Sequence, residues 1–137
     1  MRTRFIALSL LLYTGHGIGA DDAMREALKD CTKNQLSMTL CAQHESNVAE
    51  TRLNQVYRCV LREIKDPDWV KLIREAQRGW VKYRESQCAH YAGGPQGPGS
   101  GSMWPMLYGG CKAAMAKQRT DELVNLGDGS IDACKLR

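Results

Sequence analysis

Leu72-Ile73-Arg74-Glu75-Ala76-Gln77-Arg78-Gly79-Trp80-Val81-Lys82-Tyr83-Arg84-Glu85-Ser86-Gln87-Cys88 is the stretch that decides the fold. On a helical wheel, Trp69, Ile73, Ala76, Trp80, Tyr83, Gln87 and Tyr91 follow steps of three and four and share one face. Arg74, Arg78, Lys82, Arg84 and Glu85 fall elsewhere. The pattern predicts an amphipathic helix whose aromatic stripe packs in the core and whose charged face meets solvent, with ion pairs such as Glu75 with Arg78.

Upstream, Lys65-Asp66-Pro67-Asp68 starts this helix. Asp66 suits the N-cap, Pro67 the first helical position and Asp68 the positive end of the helix dipole. Before that break a long helix is expected to about Ile64, on the spacing of Leu36, Leu40, Cys41, Val48, Leu53, Val56, Tyr57, Val60 and Ile64. Thr32 and Gln35 read as its capping box, and the apolar-poor segment from Ala42 to Glu50 as a place for a kink. Asp21 to Asp30 is a short helical candidate. Downstream, Ala92 to Gly101 is too rich in Gly and Pro to hold a helix. Ser102 is placed to cap a last helix from Met103 that stops at Gly127, loosened at Gly109-Gly110. Short connections favour antiparallel neighbours. The expected fold is all-α: a small disulfide-bonded antiparallel helical bundle, three main helices plus a short N-terminal one.

The first segment stands apart. Met1-Arg2-Thr3-Arg4 is basic, Phe5 to Tyr13 is apolar, and Gly15 to Ala20 is rich in small residues. That is the layout of a secretory signal peptide, expected over residues 1–20, with a single domain over 21–137. The apolar run is too short to span a bilayer. All six cysteines of the 137-residue chain lie beyond it. An even count in a small exported chain argues for three disulfides in an oxidising compartment. Cys59–Cys134 is the firmest expected pair, because the last helix should run parallel to the first long one and end near Cys59. Similar heights suggest Cys41–Cys88 with Cys31–Cys111. The swap to Cys31–Cys88 and Cys41–Cys111 stays open. Cys31–Cys41 is disfavoured, since an intervening helix would hold the two apart.

Composition excludes several functions. The formal charge is +4, and removing Arg2 and Arg4 leaves 17 basic against 15 acidic residues, or +2. That balance gives no case for nucleic acid or an anionic membrane. No CxxC pair occurs and His44 and His90 stand alone, so no metal or other cofactor is expected. There is no phosphate-cradling loop, no GxSxG and no HExxH. The carboxylate pairs Asp21/Asp22, Asp66/Asp68 and Asp121/Glu122 sit at helix starts or on exposed faces. The reading is a non-enzyme. Its candidate contact residues for a partner are Ser100, Ser102, Trp104 and Tyr108 at the Gly/Pro loop, and Arg78 and Arg84 on the charged helix face.

Ala76-Gln77-Arg78-x-Trp80-x-x-Tyr83-Arg84-x-x-x-Cys88 resembles the signature of the lysozyme inhibitor LprI-like family. Cys31-x9-Cys41, Leu53-Asn54-x-x-Tyr57, Gly101-Ser102-Met103, Cys111 and Arg119-Thr120-x-x-Leu123 follow in the family's order, so the resemblance covers about Cys31 to Leu126. The chain departs from the pattern at Thr51, at Ala116 and in its Gly/Pro-rich loop. Cys59 and Cys134 look additional to the usual four cysteines. The resemblance implies an exported, helical, disulfide-bonded protein, periplasmic or secreted, whose partner is a lysozyme-type hydrolase. Alternatives are an immunity or accessory protein for a secreted effector, or an envelope protein without an inhibitory role.

Overall fold

The computed structural model describes residues 19–97, 100–126 and Cys134. Four helices follow in order: α1 (Ala20–Ala27), α2 (Gln35–Glu63), α3 (Pro67–Tyr91) and α4 (Trp104–Val124), with no strand among the described residues. The expected leader lies outside them except for Gly19 and Ala20, as do the stop at Gly127 and the tail apart from Cys134.

The α2–α3 break forms as its chemistry dictates. Asp66 Oδ1 accepts from the backbone N–H of Asp68 at 2.8 Å and of Trp69 at 3.4 Å, and Pro67 opens α3. Other caps differ from expectation. Asn34, not Thr32, caps α2 by accepting from Ser37 N at 2.8 Å, while Thr32 turns back to Asp30. Ser102 does not cap α4; Met103 holds that position with no side-chain bond.

The core is a seam between α2 and α4, which run parallel, Ala42 lying beside Gly109 and Glu50 beside Lys112. Ser46, Ala49, Leu53, Val56 and Val60 face Gly109, Ala113, Ala116, Thr120 and Leu123, all buried, in matching steps of three and four. Small residues occupy the first half of this seam. A Cβ at Gly109 would sit 3.3 Å from the backbone of Ala42. The stretch Ala42–Glu50 is therefore poor in large apolar residues because two helices approach closely there, and α2 continues through it without interruption. Likewise α4 runs unbroken through Gly109-Gly110.

α3 runs antiparallel to both, but its buried face is not the expected one. Ile73, Gln77, Arg84 and Cys88 are buried and Trp80 is half-buried, whereas Trp69, Ala76, Tyr83, Gln87 and Tyr91 are exposed. The helix is turned by about one residue step, roughly 100°. The cause is at its C-terminal end. Cys88 is bonded to Cys111 of α4, and a buried Cys88 brings Arg84, Trp80 and Gln77 inward with it.

Cys59 pairs with Cys134, as the helix directions suggested. The other two pairs are Cys31–Cys41 and Cys88–Cys111, so both Cys41–Cys88 with Cys31–Cys111 and its swap are corrected. Cys31 and Cys41 come within 5.8 Å (Cα to Cα) because no helix separates them fully. α2 starts only at Gln35, and the 28–34 turn folds α1 back along it, leaving Cys41 Sγ 3.4 Å from Ala27 O. Cys111 cannot reach α2. It lies two residues from Gly109, on the opposite side of α4, where α3 packs.

The two mid-helix glycines should respond oppositely to alanine. Gly109→Ala pushes the seam apart and is expected to destabilise by about 1–3 kcal/mol. Gly79→Ala meets nothing within 4 Å and should stabilise by about 1 kcal/mol in dilute solution, on propensity alone. Urea unfolding of both variants checks the pair.

Candidate functional site

Where α3 meets α2 and α4, a polar cluster forms around the buried side chains of Arg84 and Gln77. The Arg84 side chain is 8% exposed and its Nη1 lies 2.8 Å from Glu50 Oε1. Its Nη2 lies 2.7 Å from Glu85 Oε1. Lys112 Nζ adds to Glu50 Oε1 at 3.2 Å, and the Tyr108 hydroxyl donates to Glu85 Oε2. Trp80 carries the Arg84 guanidinium 5.0 Å above its ring centre and that of Arg119 at 6.0 Å, while Arg119 Nε donates to Gln77 Oε1 at 3.1 Å. Arg84 and Lys112 balance Glu50 and Glu85, and Arg119 is balanced by Glu122 at 2.9 Å, so the cluster is neutral as well as hydrogen-bonded.

This arrangement fixes the titration of its members. Burial pushes Glu85 up, but the Tyr108 hydroxyl, Arg84 and Lys112 together outweigh it and hold the carboxyl below its ordinary value. Burial, then the bond to Glu85 and its charge, push Tyr108 up to about 12. A carboxylate so held has no proton to donate near neutral pH, which is the opposite of what a general acid needs.

The cluster also anchors the Gly/Pro loop. Tyr108 stacks on Trp104 with ring centres 4.4 Å apart, and Trp104 Nε1 donates to Gly94 O at 2.8 Å. Gly93 and Gly94 end α3 with φ of 99° and 119°, a left-handed conformation that only glycine adopts easily. Gly94 N then closes on Ala89 O at 2.8 Å. Ser100 Oγ donates to Gly97 O at 2.6 Å, and Cys88–Cys111 ties the two helices that carry the loop. The described part of the loop is pinned, not a free linker.

The six candidate residues therefore divide. Arg84 is buried and belongs to the packing, not to a charged outer face. Trp104, 8% exposed, is the loop's inner anchor. Tyr108 is half-buried between them. Ser100 is half-buried and Ser102 exposed, both at the loop's outer end. Arg78 is exposed on α3, in a groove with Tyr57, Arg74 and Lys82 that the loop does not line. Glu75 is not paired with Arg78 among the described residues. Two grooves escaped the sequence reading. One, of about 330 Å³, runs between α2 and the loop past Gln43, Asn47, Gln96 and Pro105. The other, about 340 Å³ and apolar, is lined by Tyr91, Met106, Leu107, Ala114 and Met115. The steps Met106-Gly110-Ala114 were its signal.

These features define a small helical scaffold, cross-linked by disulfides and saturated internally, that offers a pinned loop at one end. The family model for lysozyme inhibitor LprI matches residues 27–123, most of the chain. The chain belongs to that family. It is 34% identical to an uncharacterized protein of Rhizobium meliloti (strain 1021), over 92% of this chain and 96% of that one. No solved structure matches the chain.

Arg84→Ala leaves Lys112 as the one cation beside Glu50 and Glu85 and removes the contact to Trp80. It should destabilise by about 2–4 kcal/mol in thermal or urea unfolding. Linkage gives the pH profile. Glu85 is depressed, so its contribution is full above about 4.5, the ordinary value, and is lost as pH falls through its lower folded value. Tyr108 is raised, so its contribution is full below 10.0, its ordinary value, and fades as pH rises towards 12. Glu85→Gln should flatten the acid limb of stability against pH, and Tyr108→Phe should remove one late phase from an ultraviolet tyrosine titration.

Proposed function

We propose that this protein is exported and inhibits a lysozyme-type, peptidoglycan-cleaving hydrolase, binding it without turning over a substrate of its own. The observation that carries the reading is the family match over residues 27–123, which takes in α2, α3 and all but the last residue of α4. Export rests on the leader-like residues 1–20, and an oxidising compartment on three disulfides.

The contact surface we propose is the outer end of the loop, around Gly97, Ser100 and Ser102, with the groove at Gln43 and Gln96 beside it. A cleft built for polysaccharide is narrow and lined with groups that bond hydroxyls and amides. Small residues with hydroxyl and peptide groups suit such a cleft, where long charged side chains would not fit. Because Trp104 and the Cys88–Cys111 bond already order the loop, little conformational freedom is lost on docking. Steering by net charge plays no part, since the exported chain is near neutral.

A turbidity assay on cell-wall suspensions, run with the purified exported chain against several lysozyme types, tests this. Inhibition of at least one type at micromolar protein is expected. Ser102→Arg should weaken it by about tenfold or more with the melting temperature unchanged. No inhibition of any type at micromolar excess would overturn the function. Inhibition indifferent to Ser102→Arg and to a second change, Ser100→Arg, would overturn the surface.

A further inference from the structure

Part of the stripe expected in the core, Trp69, Ala76 and Tyr83, lies in the open on α3, beside Leu72 and Gly79. Trp69 is 56%, Leu72 59% and Tyr83 57% exposed, and with Ala76 and Gly79 they share one face in steps of three and four. Gly79 is the unexplained member. A glycine within a helix is destabilising relative to alanine, and at Gly109 the reason is a 3.3 Å approach to another helix. Around Gly79 nothing lies within 4 Å. No neighbour among the described residues requires it.

We infer that this face of α3 is where a second copy of the chain docks, the two α3 helices packing antiparallel about a twofold axis at Ala76 and Gly79. In that alignment Ala76 meets Gly79 of the other copy, so the backbones approach closely at the centre. Leu72 meets Tyr83 of the other copy, once on each side of the axis, and Trp69 covers the ends. The charges decide for self-pairing. Glu75 and Lys82 flank the same edge of the stripe and have no ion-pair partner among the described residues. The alignment that pairs Ala76 with Gly79 brings Glu75 beside Lys82 of the second copy, and the twofold axis repeats the pair. A parallel arrangement would place this edge of the two copies on opposite sides of the contact, so that Glu75 and Lys82 would not meet. An isologous contact is therefore complementary in shape and in charge.

A single helix-on-helix contact is small among specific interfaces, under about 1,200 Å², so a weak dimer is expected. Sedimentation equilibrium of the exported chain, up to about 1 mM, measures it, with circular dichroism confirming that each variant is folded. Wild type should dimerise. Gly79→Leu should abolish association, Glu75→Lys should weaken it about tenfold or more, and Glu75→Lys combined with Lys82→Glu should restore it. A strictly monomeric wild type overturns the inference. So does a dimer that tolerates Gly79→Leu, or one that the double reversal fails to rescue. The readout is independent of hydrolase inhibition. If Leu72→Ser abolished inhibition by a monomeric wild type, the face would belong to the hydrolase instead.

Discussion

The guanidinium of Arg84 is the point on which the rest of the bundle turns. A cation that is 8% exposed must find its charge partners inside the protein. Glu50 of α2 and Glu85 of α3 supply them, with Trp80 beneath. An inward Arg84 and the Cys88–Cys111 bond one turn beyond it demand the same rotation of α3 and settle it together over the whole helix. Gln77 reaches Arg119, Cys88 reaches Cys111, and the aromatic stripe is carried round to the surface. Glu85 in turn holds Tyr108, which stacks on Trp104, which holds Gly94. One buried ion pair thus positions a loop that it does not touch.

The two halves of the structure are held by different physics. Between α2 and α4 the contact is close and largely apolar, small residues above and Leu53, Val56, Val60 and Leu123 below. Cys59–Cys134 ties in the segment beyond α4, closing the largest of the three loops, 75 residues apart in sequence. α3 packs more sparsely. It is retained by charges, by Trp80 and by one disulfide. The pinned loop hangs from this second, polar half, so the geometry of its surface depends on electrostatic satisfaction more than on hydrophobic burial.

Much of this was legible in the residues. Asp66-Pro67 marked a helix start, the spacing from Leu53 to Val60 marked a buried face, and helix directions placed Cys59 near Cys134. The signature around Trp80 pointed to the family. What failed did so for identifiable reasons. Amphipathic periodicity locates an apolar face but assumes that this face is the buried one. On α3 the buried line contains Gln77 and Arg84, whose partners, Arg119 and Glu50, lie on other helices and leave no mark in the local pattern. The Cys31–Cys41 bond is hidden because the capping-box pattern places the cap of α2 two residues early, at Thr32 instead of Asn34. Of the site, the loop was visible as composition. Its ordering by Trp104 was not, because an indole bonded to a carbonyl ten residues away has no periodic signature.

The Cys88–Cys111 bond has a topological consequence. It closes a ring, 23 residues apart in sequence, that contains the entire Gly/Pro loop. A protease that severs one peptide bond in that loop opens the ring without dividing the molecule, since α3 and α4 remain covalently joined at their shared end. The connection that leaves the bundle is thereby one whose cleavage keeps both flanking helices attached. Cut there, the chain would keep its framework in one piece.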